Sequence, residues 1–195
     1  MSKHIYLASR SPRRAELLQQ IGITFTVLPS NVDESVLANE APEKYVIRLA
    51  QTKGEACLSY LQNMDMPLLP ILAADTTVCV AGMILGKPDD DAHAAEMLRS
   101  MSGGWHEVHT GIAVTTSNGI VTALSTTRVE MAVLSETEIA SYVASGEPHD
   151  KAGAYGIQGL AGAFIRRIEG SYSGVMGLPI FETAALLKIA GIHVL

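Results

Sequence analysis

Four places in the sequence set residue types where they can do chemistry. The first is the run Ser9-Arg10-Ser11-Pro12-Arg13-Arg14, three arginines within five positions of a chain that has only 14 Lys and Arg among 195 residues. Pro12 suits the first position of a helix, because only an N–H that would be unpaired anyway is lost there. A helix N-terminus offers free N–H groups and about half a positive charge, so Ser9, Ser11 and the arginines beside them could cradle a phosphate. The same residues would equally make a capped surface helix with solvated arginines. The second place is Lys53, which recurs with Val46, Leu49, Ala50 and Cys57 on the apolar face of a helical pattern. A lysine there either reaches a polar site or snorkels past the edge of the core. The third is Asp75, within the apolar run "ILAADTTVCV". A carboxylate so placed must be paired, metal-bound or catalytic, since an isolated buried charge would be neutralised or expelled. The fourth is Lys87, in "GKP" on a loop after a strand, which taken singly reads as surface punctuation.

Other candidates fail on geometry. His106 and His109 are three apart on a strand, so they face opposite sides of a sheet and cannot share a metal. The run Asp89-Asp90-Asp91 precedes a helix, where aspartate is an ordinary cap and dipole partner. "GSYSG" at 170–174 lacks the glycine that a nucleophile elbow needs two places before its serine, and neither a G-x-x-x-x-G-K-[ST] loop nor a G-x-G-x-x-G fingerprint occurs.

The elements that must position these residues follow from periodicity. Residues 4–9 suit a short strand, a helix runs from Pro12 to Gly22, and "TFTVL" at 24–28 alternates as a second strand. Pro42 opens a long helix to about Leu61. The run 70–80 reads as a strand covered on both sides, with "AGMILGKP" as a hairpin return. A helix from about Asp90 to Met101 stops at Gly103 and Gly104, and strands near 105–116 and 120–134 are joined by "SNG". Ser135 and Glu138 form a capping box for a helix that Gly146 ends. Residues 147–162 hold four glycines in sixteen positions, too many for a regular element, so they form a loop with a purpose or a loose one. A strand, "AFIRRI", and a last helix from Pro179 to near Gly191 complete the chain. With no linker or repeat, residues 1–195 read as one α/β domain, pinched into two lobes at most.

Composition bounds what such a domain does. Hydrophobic residues make up 48% and the net charge is −6, which argues against a broad basic surface for nucleic acid or anionic membrane. An anion site must therefore be local. Cys57 and Cys79 lie in apolar segments without metal-ligand spacing and read as buried thiols of a reducing compartment. The N-terminal apolar run is broken at Ser9 and is neither a signal peptide nor a spanning helix, and no later stretch is long enough to span. A cytoplasmic location is the simplest expectation.

The ordered set "LASRSPRRAELLQQIGI", "VDE" at 32–34, "RLAQTK" at 48–53, "AADTTV" at 73–78, "LGKP" at 85–88 and "DKAGAYGIQG" at 150–159 resembles the Maf family of nucleotide pyrophosphatases over nearly the whole chain. The pairing of "ADTT" with "GIQG" resembles the branch acting on dTTP and UTP rather than that acting on 7-methyl-GTP. The resemblance implies a fold like that of inosine triphosphate pyrophosphatases, a long mixed sheet with flanking helices and a cleft between two lobes. It implies hydrolysis of a nucleoside triphosphate to monophosphate and diphosphate with a divalent cation, Mg²⁺ or Mn²⁺. By position, Asp75 resembles the catalytic proton acceptor, and Ser9, Arg13, Arg14, Glu34, Lys53 and Lys87 match the polar cleft. Arg13, Thr76 and Gln158 match the positions that distinguish the branch's substrate. Arg10 departs from the family pattern, where a small residue is expected.

Charge supports that reading. Four cations converging on a triphosphate would each contribute roughly 4 kcal/mol at about 4 Å and an effective dielectric near 20, whereas the diffuse negative charge is screened beyond about 10 Å. Glu34 and Asp75 are expected to share the cation, and the Gln158 amide could match the N3–H and a carbonyl of uracil or thymine. The rival is a non-catalytic nucleotide sensor or regulator of septum formation, which needs the same pocket. Nucleic-acid binding is disfavoured by charge and by 5% aromatic content. A homodimer is expected by resemblance alone.

Overall fold

A computed structural model describes residues 3–194. Seven strands form one sheet: β1 (His4–Leu7), β2 (Thr24–Val27), β3 (Ile71–Val80), β4 (Met83–Leu85), β5 (Trp105–Thr116), β6 (Gly119–Met131) and β7 (Ile165–Glu169). Their order is β2-β1-β3-β5-β6-β7, with β4 paired to β3 off that path. β2, β1 and β3 run parallel and every other pairing is antiparallel. The helices are α1 (Pro12–Gln20), α2 (Pro42–Asn63), α3 (Asp91–Met101), α4 (Glu136–Ala144), α5 (Tyr172–Met176) and α6 (Ile180–Ile189). The expected long mixed sheet with flanking helices is present.

Side-chain alternation on β3 divides the two faces of the sheet. Ile71 and Ala73 pack with Cys57 and Leu61 of α2, while Leu72 and Ala74 pack with Leu17 and Leu18 of α1 and Leu186 and Leu187 of α6. A third cluster, built on Val78, Val108 and Val129, joins the far end of the sheet to α3 and α4. The same long strands thus run from the paired clusters at one end of the sheet, one on each face, to the third cluster at the other, and these two ends are the two lobes. Between them β3 is left open on one side: β1 reaches only Ile71 and Leu72, and β4 covers only Val78, Cys79 and Val80. Residues 73–77, with Asp75 at their centre, have no strand neighbour along that edge among the described residues.

Capping follows the sequence closely. Asp90 accepts from the His93 N–H at 2.8 Å, so the acidic run is a helix cap. Ser135 and Glu138 make the reciprocal capping box. β1 stops at Leu7 rather than at Ser9, and β6 stops at Met131 rather than near 134. The latter ends because a register shift at Glu130/Met131 turns Ala132 to bond Phe164, and Leu134 to bond Ser102. Residues 147–162 are not a loose loop; short 3₁₀ turns cover 147–150, 152–154 and 160–164. The last turn takes Ala163 and Phe164 out of the expected strand, and α5 arises within the Gly/Ser turn after β7. Cys57 and Cys79 are buried free thiols.

Candidate functional site

The open edge of β3 floors a cleft of about 560 Å³. That volume lies in the range of small-molecule pockets. Ser9, Arg13, Arg14, Glu34, Lys53, Asp75, Thr76, Lys87 and Gln158 all line it, although they are spread along the chain from position 9 to position 158.

At the floor stands a three-charge group. The Lys53 ammonium lies 2.6 Å from Asp75 Oδ1 and 2.6 Å from Glu34 Oε1. Lys53 is therefore no snorkelling residue: helix α2 crosses the face of β3 so that its one buried charge meets the one buried carboxylate of the strand. The Tyr45 hydroxyl donates to the Glu34 carbonyl at 2.9 Å and ties the Glu34 loop to α2. Burial, with the Asp75 and Glu34 carboxylates nearby, pushes the Tyr45 hydroxyl up to about 12. Burial also raises Asp75 above the ordinary carboxylate range, against the opposing charges of Lys53 and Arg14. Burial acts upward on Glu34 too, but there the Lys53 hydrogen bond and charge, with Lys87 and Arg14, win and hold it low. Two carboxylates a few ångströms apart thus have their proton affinities driven in opposite directions, the pattern expected of a site that assigns separate roles to each.

The arginine turn behaves differently at its two ends. Arg14 spends its guanidinium on the protein: Nε donates to the Gly177 carbonyl at 2.8 Å, Nη1 to Ser9 Oγ at 3.0 Å and Nη2 to Thr76 Oγ1 at 3.2 Å. It ties α1, β3 and the α5 region together at the cleft wall. Thr76 in turn meets Thr110 Oγ1 at 2.9 Å, and Thr110 donates to the Gly174 carbonyl at 2.8 Å. Arg13 turns outward into the cleft and pairs with Asp150 of the opposite wall at 3.3 Å. Ser9 Oγ accepts from the Ser11 N–H at 3.2 Å, and no side chain caps α1, so its first N–H groups stay available beside the arginines. Arg10 donates from Nη2 to Asn31 Oδ1 at 3.2 Å. Lys87 sits where β4 returns, and Gln158 is exposed at the rim with no hydrogen bond among the described residues.

The donor set suits a hard divalent cation. Glu34 and Asp75 already converge on one cationic nitrogen, and both offer oxygen, which Mg²⁺ and Mn²⁺ prefer. Among the described residues no group of three His, Cys, Asp or Glu converges. A cation held by two carboxylates would complete its shell with substrate phosphates and water, as Mg²⁺ commonly does.

His106 and His109 stand apart from the site, one bonded to the Tyr155 hydroxyl at 2.8 Å and the other to Thr126 at 3.0 Å. Several cleft residues were not singled out by type or spacing: Tyr45, Asp150, Lys151 and Tyr155. Tyr45 carried a signal, since Tyr45, Leu49 and Lys53 recur at four-residue steps on one helix face. The others needed the loop's path.

The family described as Maf-like protein matches residues 4–190. A protein of Methylobacillus flagellatus named dTTP/UTP pyrophosphatase is 64% identical over 190 residues, covering 97% of this chain and 94% of that one. One of Nitrosomonas europaea with the same name is 54% identical over 198 residues, covering 97% and 96%. The solved structure of the Staphylococcus aureus Ham1 protein aligns over 66% of this chain and 72% of that chain, at 16% identity and a TM-score of 0.47.

Proposed function

The chain belongs to the Maf family, and from that premise we propose a nucleoside triphosphate pyrophosphatase that converts dTTP and UTP to the monophosphate and diphosphate. The observation that most supports this reading is the Glu34–Lys53–Asp75 group on the floor of a cleft walled by the α1 N-terminus, Arg13 and Lys87. A triphosphate laid there meets positive charge along its length, and hydrolysis of an anhydride needs chiefly positioning and charge stabilisation.

In this reading Asp75 accepts the proton of the attacking water. One P–O bond forms as the α–β anhydride P–O bond breaks, and the diphosphate leaves with the bridging oxygen. A carboxyl lifted above its usual range by burial is a better proton acceptor than a solvated aspartate. Lys53, at 2.6 Å from its carboxylate, keeps Asp75 ionised and aimed. Glu34 and Asp75 would hold Mg²⁺ or Mn²⁺, whose chemistry here would be neutralisation of phosphate charge. Arg14 acts mainly by fixing Ser9 and Thr76, while Arg13 and Lys87 face the substrate. Gln158, free at the rim, reads the base.

No helix among the described residues is long and apolar enough to cross a membrane. We further propose a cytoplasmic homodimer engaged in nucleotide-pool housekeeping, without nucleic-acid partners. The deciding experiment is diphosphate release by purified protein across dTTP, UTP, CTP, GTP and 7-methyl-GTP, with Mg²⁺ or Mn²⁺ and with EDTA. Metal-dependent release from dTTP and UTP is expected. Binding without turnover across the panel would favour a nucleotide sensor instead.

A further inference from the structure

We infer that Glu147 is the positioning residue for the Gln158 loop and, through that loop, a determinant of base choice; this rests on the reading of Gln158 given above. Glu147 does not line the cleft. Its side chain is instead the hub around which residues 156–161 are wrapped. Oε2 accepts from the Leu160 N–H at 2.9 Å, and Oε1 accepts from the Tyr142 hydroxyl at 2.9 Å and the Ala161 N–H at 3.4 Å. The Tyr142 hydroxyl in turn accepts from the Gly156 N–H at 3.2 Å. These bonds grip the chain on both sides of Gln158, at 156 and at 160–161, while Gln158 itself is exposed and unbonded.

Space confirms the grip. A Cβ on Gly159 would collide with the Glu147 carboxylate, and one on Gly156 would lie 2.7 Å from Lys151 Cε. Lys151 belongs to the same knot, donating to the Glu147 carbonyl at 2.6 Å. Neither glycine has a positive φ, so what the chain needs there is close approach to Glu147 and Lys151. A segment with no ladder of its own is thus held in place by one carboxylate and one tyrosine. Tyr142 is buried on α4, which gives the hub a rigid base.

Glu147→Gln is the test, because the amide keeps the size but turns a donor toward groups that are themselves donors. The kcat/KM ratio of UTP over GTP is expected to fall about tenfold, the equivalent of one hydrogen bond to the base, with most of the change in KM for UTP. In a Gln158→Ala background, Glu147→Gln should change that ratio no further, since the two act in series. Amide exchange at Leu160 and Ala161 should quicken in Glu147→Gln. Tyr142→Phe, which retains the buried ring, should narrow the ratio by a smaller factor and serves as the test if the first variant does not fold. Equal losses for UTP and GTP, additivity with Gln158→Ala, or unchanged exchange would each overturn the inference. If the wild type hydrolyses neither nucleotide, the proposed function fails, and amide exchange still decides whether Glu147 holds the loop.

Discussion

Asp75 shows how a single residue's chemistry is set by its surroundings. Its place in an apolar strand required a partner, and Lys53 at 2.6 Å is that partner. Burial raises its proton affinity while Lys53 and Arg14 restrain the rise, so it remains a usable base and an acceptor of charge. Asp75→Asn keeps the shape and removes the base. It should lower kcat for dTTP hydrolysis by about a thousandfold, within the usual range for losing a general base. Nucleotide affinity, measured by calorimetry, should be largely retained; near-normal turnover would remove Asp75 from the mechanism. At this scale the sequence was informative wherever a charged residue broke an apolar pattern, as at Lys53 and Asp75. It was silent on Asp150 and Lys151, whose side chains look like ordinary loop polarity until the loop's path brings them to the cleft wall.

The elements carry the distances on which those residues depend. Helix α2 can bring Lys53 to Asp75 only because it lies almost against the sheet. A Cβ on Gly111 of β5 would sit 2.5 Å from the Val46 carbonyl oxygen, and one on Gly54 would strike Thr115 Oγ1. Gly111 does not have a positive φ, so alanine there is excluded by space alone. Gly111→Ala should lower Tm by roughly 5 °C, from overpacking of one methyl group, and reduce kcat by lifting Lys53 from Asp75. Calorimetry together with the diphosphate assay checks both. β5 carries a second dependence. His106 is buried against Tyr155, its Nδ1 has no partner among the described residues, and burial lowers its pKa from 6.5 to about 4. The unfolded chain therefore takes up a proton that the folded protein refuses. Stability should be full above pH 6.5 and fall as pH drops toward 4, by up to about 3 kcal/mol. His106→Gln should flatten that part of the pH profile in urea titrations. An unchanged profile would place the acid sensitivity elsewhere.

Across the whole molecule, a net charge of −6 coexists with a cleft built to hold a polyanion. Screening makes this possible, since the cations act at contact distance and the diffuse carboxylates do not. The outer surface has another feature suited to self-association. Helix α6 is apolar on more than its core side: Phe181, Ala185 and Ile189 recur at four-residue steps on its exposed face, with Phe181 83% and Ile189 68% accessible. Phe181→Glu is expected to convert the proposed homodimer to a monomer in sedimentation velocity, with activity assayed in parallel. A wild-type monomer would remove the dimer proposal.

Periodicity and breaking residues in the sequence determined most of the elements, because a helix face, a strand alternation and a cap are each written within about a dozen neighbouring positions. Pro12, Pro42, Asp90 and Ser135 all open helices as their chemistry requires. The ordered motifs likewise brought every cleft residue named from them to one place. Tertiary structure alone decided that β3 stays open at 73–77, that Lys53 bridges Glu34 and Asp75, that Arg14 is consumed by the protein while Arg13 is not, and that residues 147–162 fold around Glu147. Each of those depends on which non-local partner reaches a group first, and no local pattern encodes the distance between residues that lie on different elements.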